Sequence, residues 1–137
     1  MNPSIEWQVT NLDLSRKLKE LGVKQESLFY WSRSTHFNQY ELLLGGHSVF
    51  ETADTEHKIS AFTVSELGEM LPSVIHLGGT AKMVLVIGRT LGEQWRIDYR
   101  NEDLGKPITT IADTEANARA AMLCHLIESK IIKPKGG

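Results

Sequence analysis

The sequence predicts an α+β fold: a mostly antiparallel sheet of about three to five strands packed against amphipathic helices, in the rough order α-β-β-α-β-β-α. Three observations predict it. Leucines recur at helical spacing near the N-terminus, residues 95–100 alternate between apolar and charged side chains, and apolar residues return at helical spacing from Ala116 onward.

The first helix is framed by its own ends. Asn11 is a suitable N-cap, and Leu14, Leu18 and Leu21 form one stripe while Arg16, Lys17, Lys19 and Glu20 take the other faces. Gly22 stands where a left-handed residue would end the helix, with Val23 able to fold back on it. Residues 27–32, rich in aromatics, read as a strand. The signal then weakens: residues 42–44 and 48–50 read as short strands around a turn at Gly45 and Gly46, and residues 54–58 as a polar loop. Thr63 and Glu66 have capping-box spacing, and Val64, Leu67 and Leu71 form the apolar face of a short helix that Pro72 stops.

Gly78, Gly79 and Thr80 make a turn into residues 83–87, a wholly apolar run that reads as a strand covered on both faces. After Leu91, Gly92 and Glu93, the side chains of Trp95, Ile97 and Tyr99 fall on one face and those of Arg96, Asp98 and Arg100 on the other. These two strands form a hairpin, with the aromatic side turned to the helices. Residues 108–111 add an edge strand. Asp113 or Thr114 caps a long last helix carrying Ala116, Ala120, Leu123, Ile127 and Ile131 on one stripe. The whole forms one domain, residues 1–137, with residues 1–9 and 132–137 expected to fray.

Composition bounds the function. Fifteen basic and 17 acidic residues, a net charge of -2, give no global attraction to nucleic acid or anionic lipid. The longest apolar run is too short for a membrane span, and the chain is expected in the cytoplasm. A single cysteine, Cys124, allows no intramolecular disulfide and no thiolate cluster. His36, His47, His57, His76 and His125 lack the spacing that would bring two imidazoles to one metal, and no cofactor is assigned. Cys124 and His125 are neighbours, yet successive helix residues diverge by about 100° and form no nucleophile and base pair. Gly78 to Lys82 imitates a phosphate loop but leads into a strand where a Walker loop needs a helix.

Three stretches, NLDLSRKLKELGVKQESLFYW (residues 11–31), AFTVSELGEMLP (61–72) and ADTEANARAAMLCHLIESK (112–130), resemble a group of small phage and prophage proteins without assigned function. The resemblance covers about half the chain and implies a compact accessory protein of a mobile element, with no catalytic residues to carry over. The leading expectation is a non-enzymatic protein that binds a host protein or sequesters a small anionic ligand. Its candidate contacts are Tyr40 and His47, in the polar segment 33–58, and Arg89, Arg96 and Arg100, which are expected to share the outer face of the hairpin. One alternative is a DNA-binding regulator using residues 11–31 as a helix-turn-helix, although bulky Leu18 and the aromatic residues 29–31 suit that motif poorly. Another is a small enzyme with a dispersed site.

Overall fold

A computed structural model describes residues 5–33, 39–44, 58–101 and 105–134. The fold is α+β, as the periodicities require: among the described residues there are three α-helices and seven strands divided between two antiparallel sheets. Chain order is α1 (Leu12–Glu20), β1 (Phe29–Arg33), β2 (Tyr40–Leu44), β3 (Lys58–Ser60), α2 (Val64–Met70), β4 (Val74–Gly78), β5 (Ala81–Arg89), β6 (Trp95–Arg100), β7 (Ile108–Ala112) and α3 (Glu115–Glu128). One sheet has the order β2-β1-β3, the other β4-β5-β6-β7. The expected strand at 48–50 and the turn at Gly45 and Gly46 lie outside the described residues.

Helix α1 begins and ends as its sequence dictates. The Asn11 side chain accepts from the Leu14 amide at 2.8 Å. At the other end Gly22 adopts φ 91, and the amides of Gly22 and Val23 bond the carbonyls of Lys19 and Leu18, which closes the helix on a left-handed glycine. Helix α2 carries the complete capping box: the Glu66 amide donates to the Thr63 hydroxyl and the Thr63 amide to the Glu66 carboxylate. That carboxylate also accepts from the Ser27 hydroxyl at 2.7 Å and the Leu28 amide at 3.1 Å. Glu66 therefore fixes the entry to β1 as well as the start of α2.

Helix α3 is the centre of the molecule. Ala116, Ala118, Ala120, Met122, Leu123, Cys124, Leu126 and Ile127 are all buried along it, a wider apolar surface than one stripe. It packs on β6 and β7 on one side and on α1 and α2 on the other. The helix stops at Glu128, short of Ile131, because Lys130 turns left-handed at φ 59 and the Ile131 amide folds back to the Leu126 carbonyl.

The β5–β6 hairpin pairs Val84 with Arg100 and Arg89 with Trp95. This register puts Met83, Leu85, Ile97 and Tyr99 on the face toward α3, and the Tyr99 hydroxyl donates to the Pro72 carbonyl at 2.6 Å. Strand β5 is not covered on both faces, however. Val84, on the far side, is 43% exposed, since the helices lie against one face of this sheet only. Strand β4 was not legible as a strand because His76 and Gly78 interrupt its apolar residues. Ahead of α1, Val9 and Thr10 are fully buried, Val9 bridges Thr63, and the Thr10 amide bonds the Phe62 carbonyl. At the other end Ile132 still packs against the core.

Candidate functional site

The outer face of the four-stranded sheet can be built from its registers. Val74 lies opposite Val84, Val84 opposite Arg100, Asp98 opposite both Val86 and Thr109, and Arg96 opposite Gly88 and Ile111. Aliphatic side chains therefore surround a short charged row. Gly88 adds no side chain beside Arg96, which leaves the guanidinium room.

Asp98 sits in the middle of that row and is 1% exposed, although no helix or strand among the described residues covers this face. Its cover is the ligands it holds. Arg96 Nε lies 3.0 Å from both carboxylate oxygens, Arg100 reaches Oδ2 with Nε at 2.9 Å and Nη2 at 2.6 Å, and the Thr109 hydroxyl donates to Oδ1 at 2.6 Å. Burial works to raise the carboxyl's pKa. The hydrogen bonds from Thr109, Arg96 and Arg100, with the Arg96 charge, outweigh it and hold Asp98 below the ordinary carboxylate value. Asp98 is thus an anion at neutral pH, and it orients two cations.

Two guanidiniums against one carboxylate leave one positive charge uncompensated within the cluster. Arg96 and Arg100 keep 40% and 50% of their side-chain surface in solvent. Arg96 uses only Nε on Asp98, so both its terminal nitrogens are without a hydrogen-bond partner among the described residues, as is Nη1 of Arg100. Beside them opens a shallow cleft of about 320 Å³ lined by Arg96, Arg100, Asn101, Gly105 and Pro107.

The other residues singled out from sequence do not join this pair. Arg89 lies opposite Trp95, which puts it on the inner side of the sheet, where its guanidinium stacks 4.7 Å over the Trp95 ring and donates to the Glu93 carbonyl at 2.6 Å. It contributes instead to a separate cleft of about 580 Å³ with Trp7, Trp95 and Asp113. Tyr40 is half-buried on β2 with the Arg16 guanidinium 4.9 Å above its ring, so one aromatic face is already engaged within the fold. His47 lies outside the described residues, as do His36 and His57.

Several sequence motifs resolve into structure. No second helix follows α1; residues 29–33 form β1, so residues 11–31 make no helix-turn-helix. Gly78 and Gly79 take positive φ values, 104 and 59, in the β4–β5 turn. Cys124 is 2% exposed, and burial pushes its thiol up to about 11, away from nucleophilic use, while His125 beside it is exposed. Among the described residues no three of His, Cys, Asp and Glu are grouped to hold a metal ion, and no helix is long and apolar enough to cross a membrane. Sequence reasoning can set Asp98 on the outer face as a local partner of the arginines, but it does not show that Asp98 is buried there or, without the register with β7, that Thr109 completes its shell.

No family model matches the chain, and no curated protein or solved structure matches it.

Proposed function

We propose that this chain is a non-enzymatic binding protein, an accessory factor of a phage or other mobile element, that recognises an acidic site on a host protein through Arg96 and Arg100. The observation that carries the reading is the Asp98 cluster: a buried carboxylate spends its hydrogen bonds on holding two exposed guanidiniums still. Pre-orientation lowers the side-chain entropy lost on binding, and guanidinium forks suit carboxylates in two-point contacts. The surroundings favour a macromolecule. Val84 and Ile111, 43% and 48% exposed, flank the arginines on an open face, and such a mixture of aliphatic and arginine surface is typical of protein interfaces. The resemblance of residues 11–31, 61–72 and 112–130 to phage and prophage proteins supports the accessory role and the host as the source of the partner.

A second reading, sequestration of a small anion, is favoured by the cleft beside Arg96 and Arg100. One pair of experiments separates them. The wild-type protein and the triple variant Arg96→Gln/Asp98→Asn/Arg100→Gln, which removes both cations without stranding the buried carboxylate, are immobilised and challenged with host lysate at low and high salt. Host proteins retained by the wild type, released by salt and lost by a triple variant of matched Tm support the protein partner. Equal retention by both overturns it. Titration with inorganic phosphate, followed by NMR at the arginine side chains, tests the small anion, which is refuted if neither Arg96 nor Arg100 shifts.

A further inference from the structure

A strand at the edge of a sheet exposes unpaired backbone donors and acceptors, and proteins blunt such edges with charges, glycine, proline or bulges. Among the described residues four strands form the edges of the two sheets: β2, β3, β4 and β7. Strand β2 carries exposed Glu41, and β3 carries Lys58. Strand β4 has an irregular register between His76 and Gly78, where Gly78 turns left-handed. Strand β7, Ile-Thr-Thr-Ile-Ala, has none of these devices, and its pairing with β6 runs unbroken from Ile108 to Ala112.

We infer that β7 pairs antiparallel with β7 of a second copy of this chain, about a twofold axis perpendicular to the sheet at Thr110. Such an axis keeps inner and outer faces on the same sides, so only residues of one face can oppose each other. Centring on Thr110 satisfies this. Thr109 meets Ile111, both on the outer face opposite Asp98 and Arg96, and Ile108 meets Ala112, both on the inner face opposite Tyr99 and Trp95. Every pair is uncharged, and most of the residues are β-branched, the side chains that suit cross-strand contact.

The flanks also fit a copy of the same strand. Beyond the ladder Asp113 of each copy, whose carboxylate accepts from Gln94 of its own chain, falls opposite residue 107 of the other and one residue from Lys106, so opposite charges come near enough at both ends to attract across the seam. Asp113 and Lys106 are exposed. The arginines do not oppose the pairing: Arg96 and Arg100 lie one strand in, so the two clusters sit three strand spacings apart, about 14 Å. That exceeds the screening length of about 8 Å at physiological salt. The product is a continuous sheet with twice the four strands of one copy and both Asp98 clusters on the same face.

A five-residue ladder is only about 17 Å long, small against the roughly 800 Å² per partner of a standard interface, so association is weak and concentration-dependent. Sedimentation equilibrium of the full chain from about 10 µM to about 1 mM covers the range where such contacts form. The mass is expected to climb from 15.4 kDa toward twice that value. Ile111→Lys, at a 48% exposed position, should hold the protein monomeric with its Tm unchanged. Lys106→Glu, outside any strand, should weaken association several-fold by setting like charges beside each other. A constant mass of 15.4 kDa across the range overturns the proposal, as does a dimer that Ile111→Lys leaves intact. If Ile111→Lys itself lowers the Tm, Lys106→Glu decides, and an undiminished dimerisation constant overturns it.

Discussion

The four-stranded sheet buries Met83, Ile97 and Tyr99 in the core on its inner face, with 5%, 0% and 0% of their surfaces exposed, whereas the three-stranded sheet leaves Leu43 and Leu44 39% and 60% exposed. Both sheets are antiparallel and both contain aromatic and aliphatic residues. They differ in what they pack against. The four-stranded sheet lies along the central helix, while the three-stranded sheet is tied down at its margins by polar contacts. The Trp31 indole donates to the Thr10 carbonyl at 2.9 Å, the Ser27 hydroxyl to Glu66, and the Ser60 amide to the Gln25 side chain at 2.8 Å. The difference teaches that apolar strand composition alone does not set burial; what a strand packs against does, as Ile59 shows, 4% exposed on β3 where that strand meets α1.

The largest expected effect sharpens that contrast. Tyr99→Ala removes a fully buried aromatic ring and its hydroxyl bond to Pro72, and should cost about 3 to 5 kcal/mol. Leu44→Ala, on the exposed sheet, should stay within about 0.5 kcal/mol of wild type. Urea denaturation of both variants checks the pair. Similar losses for the two would mean that the three-stranded sheet carries more of the fold than its exposure indicates.

This asymmetry also explains what could be read from the sequence. Helix ends are local chemistry, so the Asn11 cap, the Gly22 stop and the Thr63–Glu66 box were legible residue by residue. The alternation of residues 95–100 was legible because one face of β6 meets α3 and the other meets no helix among the described residues. The polar margins of the three-stranded sheet were not, because the partners of Glu66 at Ser27 and Leu28 lie far away in sequence and periodicity carries no record of them. The same holds for the candidate site. Arg96 and Arg100 could be placed on one face from spacing alone, while Arg89, close in sequence, crosses to the other face through the hairpin register. That Asp98 is shielded depends on Thr109 from the next strand.

On the outer face of the well-packed sheet, Asp98 supplies the second expected effect. Asp98→Ala leaves Arg96 and Arg100 side by side without their counterion and Thr109 without its acceptor. Since both arginines keep contact with water, the cost should be about 1 to 2 kcal/mol, below that of breaking a fully buried pair. The pH dependence has a definite sign. A carboxyl held below its ordinary value stabilises the folded state fully above the unfolded pKa of about 3.9, and the contribution fades as pH falls through the depressed folded value. The stability gap between wild type and Asp98→Asn should therefore be widest near neutrality and close in strong acid. A gap that persists unchanged at the lowest pH at which both still fold would show that Asp98 acts through shape alone.

The smallest effect runs the other way and lies in the less well-packed sheet. Ser60, in β3, is fully buried, yet its hydroxyl has no hydrogen-bond partner among the described residues, although its backbone amide is satisfied by Gln25. A buried hydroxyl without a partner loses its hydration and gains nothing in return, a penalty on the order of 1 kcal/mol or more. Ser60→Ala removes that penalty without a new cavity of consequence and should stabilise the protein by about 1 kcal/mol. Ser15, in α1 and just as deeply buried, provides the control. Its hydroxyl donates to the Asn11 carbonyl at 2.7 Å and lies 2.6 Å from the Thr10 hydroxyl, so Ser15→Ala should destabilise even though alanine is the better helix former. The same substitution is thus expected to change sign between α1 and β3. Thermal denaturation of the two variants side by side reads the sign directly, and a loss of stability in Ser60→Ala would mean that its hydroxyl is satisfied in solution.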